Sequence, residues 1–279
     1  SKHYSIYGHI NFTARLQKSP FIYDHFIDLV SSYHRIYVRK YLKDIYLNIS
    51  LRHIVEMLNS LDKEHNVLML FITYKILDEF EGKLDFLYQI KINEIIKLSE
   101  LLNYKLKIFP ELLNLVETLK DDEIFKWKTY YIITSIRIAR ELLRHNTEYC
   151  VSQESTRYVD KSKNFYMIQN PKYADKEVQD RVYKEIIENF YIREKQKYIN
   201  HNKELNGYLS DFLPLGTNTQ LVLSISDFQR KYIKEQRISK YSDPLIKDLS
   251  EKLILDEQCL TGEIYEYSKQ NKTMGKSLL

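Results

Sequence analysis

From Pro20 to about His145 apolar residues recur at three- and four-residue spacing, with little glycine or proline to interrupt them, which predicts helices nearly throughout. The most apolar run, NVLMLFITYKIL (66–77), carries Asn66 and Lys75 and reads as a buried helix. In YYIITSIRIARELLRH (130–145), Ile132, Ile136, Ala139 and Leu143 share one side while Arg137, Arg140, Glu141 and Arg144 take the others, predicting an amphipathic helix that ends at Arg144. Two stretches read as extended, HINFTARLQ (9–17) and TQLVLSIS (219–226), both partly alternating and β-branched. Helices are expected again over 176–197, before the turn NHNKELNG, and within SDPLIKDLSEKLILDEQ (242–258), with a fraying polar tail from Thr261. The predicted class is α+β, mostly helical around a small mixed or antiparallel sheet.

Composition narrows the function classes. The 279 residues, 44% of them hydrophobic, can bury a sizeable core. Basic and acidic residues number 42 and 38 and are spread along the chain, so no electrostatic stripe marks a nucleic-acid polymer as partner. No apolar run approaches the ~20 residues that span a bilayer, so no membrane partner is expected. Cys150 and Cys259 offer neither a disulfide framework nor metal-ligand spacing, and the beginning of the sequence lacks the apolar run of a signal peptide; a reduced cytoplasmic protein is expected. His3 and His9 lack a third ligand at suitable spacing, so no metal is expected.

Candidate chemistry concentrates in RELLRHNTEYCVSQESTRYVDKSK (140–163). Cations at a helix end are favourable against the macrodipole alone, which gives Arg144 and His145 a purely structural explanation. The density of donors that follows shifts the balance: Ser152, Gln153, Ser155, Thr156, Arg157 and Tyr158 lie in one short polar loop. An arginine fork with amide and hydroxyl neighbours suits a phosphate or a pyrimidine edge.

These residues resemble the signature RHRxxSxxxxSxRY of the flavin-dependent thymidylate synthases (ThyX), with RHNTEYCVSQESTRY carrying one extra residue. In the same order, HYSIYGHINFT (3–13) is similar to the family's HxSxxEHxxFTF, and residues 211–249 to its LPLxxxTxLxxTxNxRxxxHFxxLRxxxxAQxEI region. The resemblance covers about 3–27 and 135–250. It implies a ThyX-like catalytic domain formed by 1–27 and 135–255, a helical insertion over 28–134 and a tail from 256. It also implies an enzyme: reductive methylation of dUMP to dTMP through FAD, with NADPH and methylenetetrahydrofolate as co-substrates, in a homotetramer. Modification of another pyrimidine nucleotide at C5, or flavin and nucleotide binding without turnover, are the alternatives. No enzyme thiol is needed in that scheme, so Cys150 is read as a small loop residue.

Carried over by position, the resemblance implies that Gln153, Ser155, Thr156, Arg157 and Arg237 bind the nucleotide and that Ser5, His9, Arg144, His145, Asn146 and Ser226 contact FAD. Arg144 and Arg237 would be the catalytic pair, Arg144 between flavin and nucleotide and Arg237 favouring negative charge on the base. The chain departs from the family at Gly8 (usually Glu), Asn146 (Arg), Ser210 (Arg), Phe228 (Arg), Tyr241 (His) and Asp243 (Gln). Only two residues precede His3, where the family has a strand and a helix, so a short or truncated form is expected. In the insertion, Tyr33, Tyr37, Tyr41 and Tyr46 read as the packed face of a helix with solvated cations beside them. Stacking on bases is the alternative. Arg35, Arg39 and Arg52 are candidates to supply the cation missing at Ser210.

Overall fold

The computed structural model describes residues 4–20, 22, 36–41, 43–59, 67–79, 96–105, 107, 110, 115–119, 125–144, 149–155, 159, 161, 166–168, 175–196 and 208–255. The expected turn at 200–207 and the tail from Thr261 lie outside these residues. The fold is α+β, as expected, with two small sheets rather than one among the described residues. The chain divides into two compact units, Ser1–Trp127 and Lys128–Leu279.

The first unit opens with a 3-10 turn, Tyr4–His9, followed by β1 (Asn11–Leu16), β2 (Tyr37–Tyr41) and β3 (Asp44–Ser50). Helices α1 (Leu51–Leu58) and α2 (Val67–Glu79) follow, and after a helical stretch at 96–105 comes β4 (Val116–Leu119). The strands form an antiparallel sheet in the order β2-β3-β1-β4. Phe12 pairs with Ile49, Ala14 with Leu47 and Leu16 with Ile45, so six apolar side chains meet across one ladder and join the core with Leu51, Ile54, Leu68, Phe71 and Val116. The insertion is therefore not wholly helical. The tyrosine-rich segment predicted as a helix contains the β2-β3 hairpin, with Tyr37 opposite Asn48 and Tyr41 opposite Asp44. β3 is buried on both faces from Ile45 to Ser50, which erases the apolar-polar alternation that would have marked it as a strand. β1, expected to belong with the catalytic segment, is the sheet's internal strand between β3 and β4. As predicted, 67–79 is a buried helix, with Leu68, Met69 and Ile72 fully covered.

The second unit runs β5 (Trp127–Ser135, from the boundary residue), α3 (Ile136–Leu143), β6 (Tyr149–Gln153) and α4 (Lys176–Val182). α4 widens into a π-helical stretch, Tyr183–Ile192, and ends in the short α5 (Arg193–Gln196). β7 (Asn218–Ser226), α6 (Asp227–Arg237) and α7 (Pro244–Leu255) complete it. Its sheet has the order β5-β7-β6, with β6 and β7 antiparallel and Gln153 opposite Leu221. Tyr130, Ile132, Leu221, Leu223 and Ile225 meet Ile138, Ala139, Leu142, Ile233 and Leu249 in one core.

The helix predicted from Ile132 begins at Ile136. Tyr130, Ile132 and Thr134 are buried alternately along β5, a period of two that a three-and-four pattern overlapping it concealed. Ser135 then stops the strand: its extended backbone places the hydroxyl to accept from the Ile138 N–H at 3.2 Å. The N–H groups of Ile136 and Arg137 donate to the carbonyls of Thr217 and Leu215, both at 2.9 Å, so the first turn of α3 is held by the chain entering β7. Ser226 repeats the arrangement at the start of α6, accepting from Gln229 N–H at 3.1 Å. Arg230 is buried behind it and donates to the Tyr130 hydroxyl (2.6 Å) and the Leu253 carbonyl (2.9 Å), joining α6, β5 and the end of α7. Lys161, 1% exposed, donates to Glu154 Oε2 at 2.5 Å and to the Asn218 carbonyl at 3.0 Å, fastening the chain beyond β6 onto β7.

Two substitutions test these ties. Ser135→Ala removes a cap and should lower the unfolding free energy by about 1 kcal/mol in urea titration. Lys161→Met leaves the Glu154 carboxylate without its cation and should cost about 3 kcal/mol, most of which the double variant with Glu154→Leu should restore. A double variant no more stable than Lys161→Met alone would show that the pair contributes by something other than charge compensation.

Candidate active site

The two arginines predicted as the catalytic pair meet at one carboxylate. α3 delivers Glu141 and Arg144 at its C-terminal end, and α6 delivers Arg237 at its own. Glu141 Oε1 lies 2.9 Å from Arg144 Nη1, and its Oε2 lies 3.2 Å from Arg237 Nη2. Arg237 Nη2 also donates to the Glu141 backbone carbonyl at 3.3 Å. The Arg237 side chain is 19% exposed and thus not a solvated helix charge, whereas that of Arg144 is 69% exposed. Both cations sit near helix C-termini, where the backbone carbonyls favour them.

The adjoining elements hold this junction in place. The Tyr149 hydroxyl donates to the Leu143 carbonyl at 2.8 Å, tying the first residue of β6 to the end of α3. Tyr149–Gln153 is strand rather than loop, and Cys150, expected in a loop, is a half-buried strand residue. Gln153 Nε2 donates to Thr219 Oγ1 at 3.1 Å, so its amide is oriented at the sheet edge. Ser155 is exposed, and its carbonyl accepts from Val159 N–H at 3.0 Å. His145, Asn146, Thr156 and Arg157 lie outside the described residues.

Ser226 has no exposed surface, and its hydroxyl caps the start of α6. Ser5 and His9 are in the 3-10 turn of the first unit. Burial pushes the His9 imidazole below its ordinary pKa, because desolvation penalises the charged ring. Neighbouring Gly8 is buried, and its carbonyl accepts from Asn11 Nδ2 at 3.3 Å.

The other departures have places of their own. Asp243 Oδ2 pairs with Arg137 Nη1 at 2.8 Å, and its Oδ1 accepts from Leu245 N–H at 2.9 Å, capping α7 just before Pro244. Ser210 lies in a turn where its carbonyl accepts from Leu213 N–H at 3.2 Å. Tyr241 is 85% exposed, and Phe228 is exposed on the first turn of α6. Of the proposed substitute cations, the Arg39 guanidinium lies 4.9 Å from the Phe125 ring centre and Arg52 pairs with Glu56 at 2.6 Å, while Arg35 is outside the described residues.

Glu141, Glu154, Lys161 and Thr219 were missed as functional candidates. The three-residue interval from Glu141 to Arg144 signals a local helix pair, but nothing in the sequence joins Glu141 to Arg237, 96 positions away. Among the described residues, no group of three or more His, Cys, Asp or Glu could hold a metal ion, and no helix is long and apolar enough to cross a membrane.

Residues 127–250 match the family described as thymidylate synthase complementing protein, Thy1. No curated protein matches the chain. Similar solved structures include thymidylate synthase X from Helicobacter pylori with FAD and dUMP: 19% identity, 55% of this chain and 74% of that chain covered, TM-score 0.37. Another structure of the flavin-dependent enzyme from the same organism, complexed with FAD and dUMP, shows 18% identity over 69% of this chain and 95% of that one, with a TM-score of 0.35. The matched segment holds β5, α3, β6, β7, α6 and the first half of α7, hence the whole Arg144–Glu141–Arg237 junction, and over these residues the chain is similar to the Thy1 family.

Proposed function

We propose that this chain is an FAD-dependent thymidylate synthase, converting dUMP to dTMP with methylenetetrahydrofolate as one-carbon donor and NADPH as reductant. The observation that carries the reading is that Arg144 and Arg237, singled out independently by two family motifs, meet at Glu141 inside the segment matching the family. An oriented amide at Gln153 and an exposed Ser155 follow on the same chain segment. Guanidinium forks beside amide and hydroxyl groups are suited to a nucleotide's phosphate and pyrimidine edge.

In this reading Gln153, Ser155, Thr156 and Arg157 bind dUMP. Arg237, mostly withdrawn from water, stabilises negative charge on the pyrimidine more strongly than a solvated cation could. Its hold on the Glu141 carbonyl limits how far the guanidinium can wander.

The residues assigned to the flavin are Ser5, His9, Arg144, His145, Asn146 and Ser226. An accessible Arg144 suits a partner that carries phosphate oxygens. When bound, FAD supplies the hydride chemistry for which the side chains themselves have no redox group. Ser226 contributes by fixing the start of α6. A cytoplasmic homotetramer is part of the proposal.

A second reading, C5 modification of another pyrimidine nucleotide, is favoured by Asp243, whose carboxylate is committed to Arg137 and the α7 cap where the family usually has an amide. Incubation with dUMP, UMP or dCMP in parallel, with methylenetetrahydrofolate and NADPH, separates the readings by the mass of the nucleotide product. A methylene-derived mass increase on dUMP alone is expected, and an increase on either other nucleotide alone would replace the first reading by the second.

Arg157→Ala should abolish dUMP binding in calorimetry with an unchanged melting temperature, since the loss is of charge-assisted bonds at a polar loop. Arg237→Ala should lower kcat by at least roughly tenfold while raising KM less, because its contribution grows as charge develops. Normal kcat with a raised KM would instead assign Arg237 to ground-state binding.

A further inference from the structure

The two sheets repeat one design. In each unit the third strand along the chain lies between the first and the second: β1-β3-β2, with β4 added outside β1, and β5-β7-β6. The registers agree as well. Thr13 and Tyr37 both pair with Asn48, while Cys150 pairs with Ser224, whose hydroxyl lies 2.7 Å from Thr129 Oγ1. Asn48 and Ser224 stand at the same distance before a serine that ends the strand and starts a helix, Ser50 at φ −81°, ψ 153° and Ser226 at φ −74°, ψ 156°. The Ser226 hydroxyl accepts from Gln229 N–H, and that of Ser50 lies 2.8 Å from Nδ1 of His53, the residue in the corresponding place. Thr13 precedes Ser19 by the interval between Thr129 and Ser135, and Ser19 accepts from Ile22 N–H at 3.1 Å as Ser135 does from Ile138 N–H at 3.2 Å. Val67 opens α2 at nearly the interval from Ser50 at which Pro244 opens α7 from Ser226.

Counted from these serines, LNISLRHIVEML (47–58) aligns with LSISDFQRKYIK (223–234). Ala14 and Ile54, both fully buried, occupy the places of Tyr130 and Arg230, so a polar tie in the second core answers to two apolar residues in the first. Along the sequence, Phe21, Asp24, His25 and Asp28 stand where Arg137, Arg140, Glu141 and Arg144 do, and Leu61 stands where Arg237 does. Between β6 and β7 runs the long segment that includes Ser155, Thr156 and Arg157, whereas β2 and β3 form a hairpin with Tyr41 opposite Asp44.

We infer that the first unit holds a second copy of the core that carries the candidate nucleotide site, and that this copy has lost the site, so that each chain binds one pyrimidine nucleotide, through its second unit. The inference rests on the nucleotide-binding reading above and adds the number of sites and the unit responsible. A nucleotide phosphate needs cations and hydrogen-bond donors. The first copy has carboxylates, Asp24 and Asp28, at the places of Arg140 and Arg144, an apolar residue at that of Arg237, and nothing in place of the Ser155–Arg157 loop. Strand order, register and helix-starting serines are kept, which preserves a fold without its site. Ser5 and His9 precede the repeated core and are not part of this count.

Equilibrium dialysis of the full chain counts the sites, with dUMP, UMP and dCMP in turn. One nucleotide per native chain is expected, and none in the Arg157→Ala/Arg237→Ala double variant. Asp24→Asn/Asp28→Asn should still bind one with unchanged affinity, since the first copy lacks the cations and the loop as well. Two nucleotides per native chain, or native affinity retained in folded Arg157→Ala/Arg237→Ala, would overturn the inference and leave nucleotide binding standing. A second site gained in Asp24→Asn/Asp28→Asn would overturn it too, because the first copy would then still possess the binding groups. One UMP or dCMP per chain without any dUMP would support the inference while removing the dUMP reading. No binding of any of the three would remove the nucleotide reading and the inference with it.

Discussion

The placement of α3 is the constraint on which the candidate site depends, and that helix is held at both ends by groups distant in sequence. At its start, the N–H groups of Ile136 and Arg137 donate to the carbonyls of Thr217 and Leu215, while Ser135 caps the Ile138 N–H. These are among the four N–H groups that a helix cannot satisfy internally, and burying them unpaired would cost more than the helix gains from its own short ladder. At its end, the Leu143 carbonyl accepts from Tyr149, and Arg237 takes the Glu141 carbonyl and carboxylate together. An eight-residue helix is marginal alone. Packed by Ile138, Ala139 and Leu142 and tied at both termini, it becomes a fixed arm whose last turn presents Glu141 and Arg144.

That arrangement distributes arginines among distinct physical tasks within one short region. Arg230 is nearly dry and commits its donors to Tyr130, Leu253 and Asp227, which makes it part of the core's polar framework. Arg137 pairs with Asp243 and links α3 to the start of α7. Arg144 and Arg237 share a carboxylate at the helix ends, the first largely exposed and the second largely covered. The gradient matters because a buried charge without a partner is costly, while a partly exposed one can exchange partners. The driest of them, Arg230, belongs to the framework, and the most exposed, Arg144, sits where water already competes.

What the sequence revealed followed the same physics. β1 and β7 were legible because they alternate or are β-branched beside polar flanks, and α7 because Asp243 and Pro244 mark its start. β3 was illegible because neighbours cover both of its faces, so a helix-like density of apolar residues replaced the alternation. The start of α3 was displaced because Ile132 and Ile136 happen to be four apart while lying on either side of the Ser135 cap. For the candidate site, local motifs singled out Arg144, Gln153, Ser155 and Arg237 as candidates, yet pairing across 96 residues could not be read from them. Ser226 also begins a helix, a role that its place inside a motif does not announce.

The chain's division bears on what the 28–134 segment is. It was expected to be a module inserted into a catalytic domain that resumes at Ser135, but the contacts divide the chain between Trp127 and Lys128, near the point where the family match begins. β5 goes with the second unit because it is hydrogen-bonded into the sheet of β7 and β6. On the other side, β1 contributes Phe12, Ala14 and Leu16 to a core whose remaining strands come from the expected insertion. Removing residues 28–134 would strip β1 of both its hydrogen-bonded neighbours and expose that apolar row, so the segment bearing Ser5 and His9 depends on the insertion for its fold. The fold of the segment that half-buries His9, and so lowers the pKa of its imidazole, therefore depends on strands from 28–134.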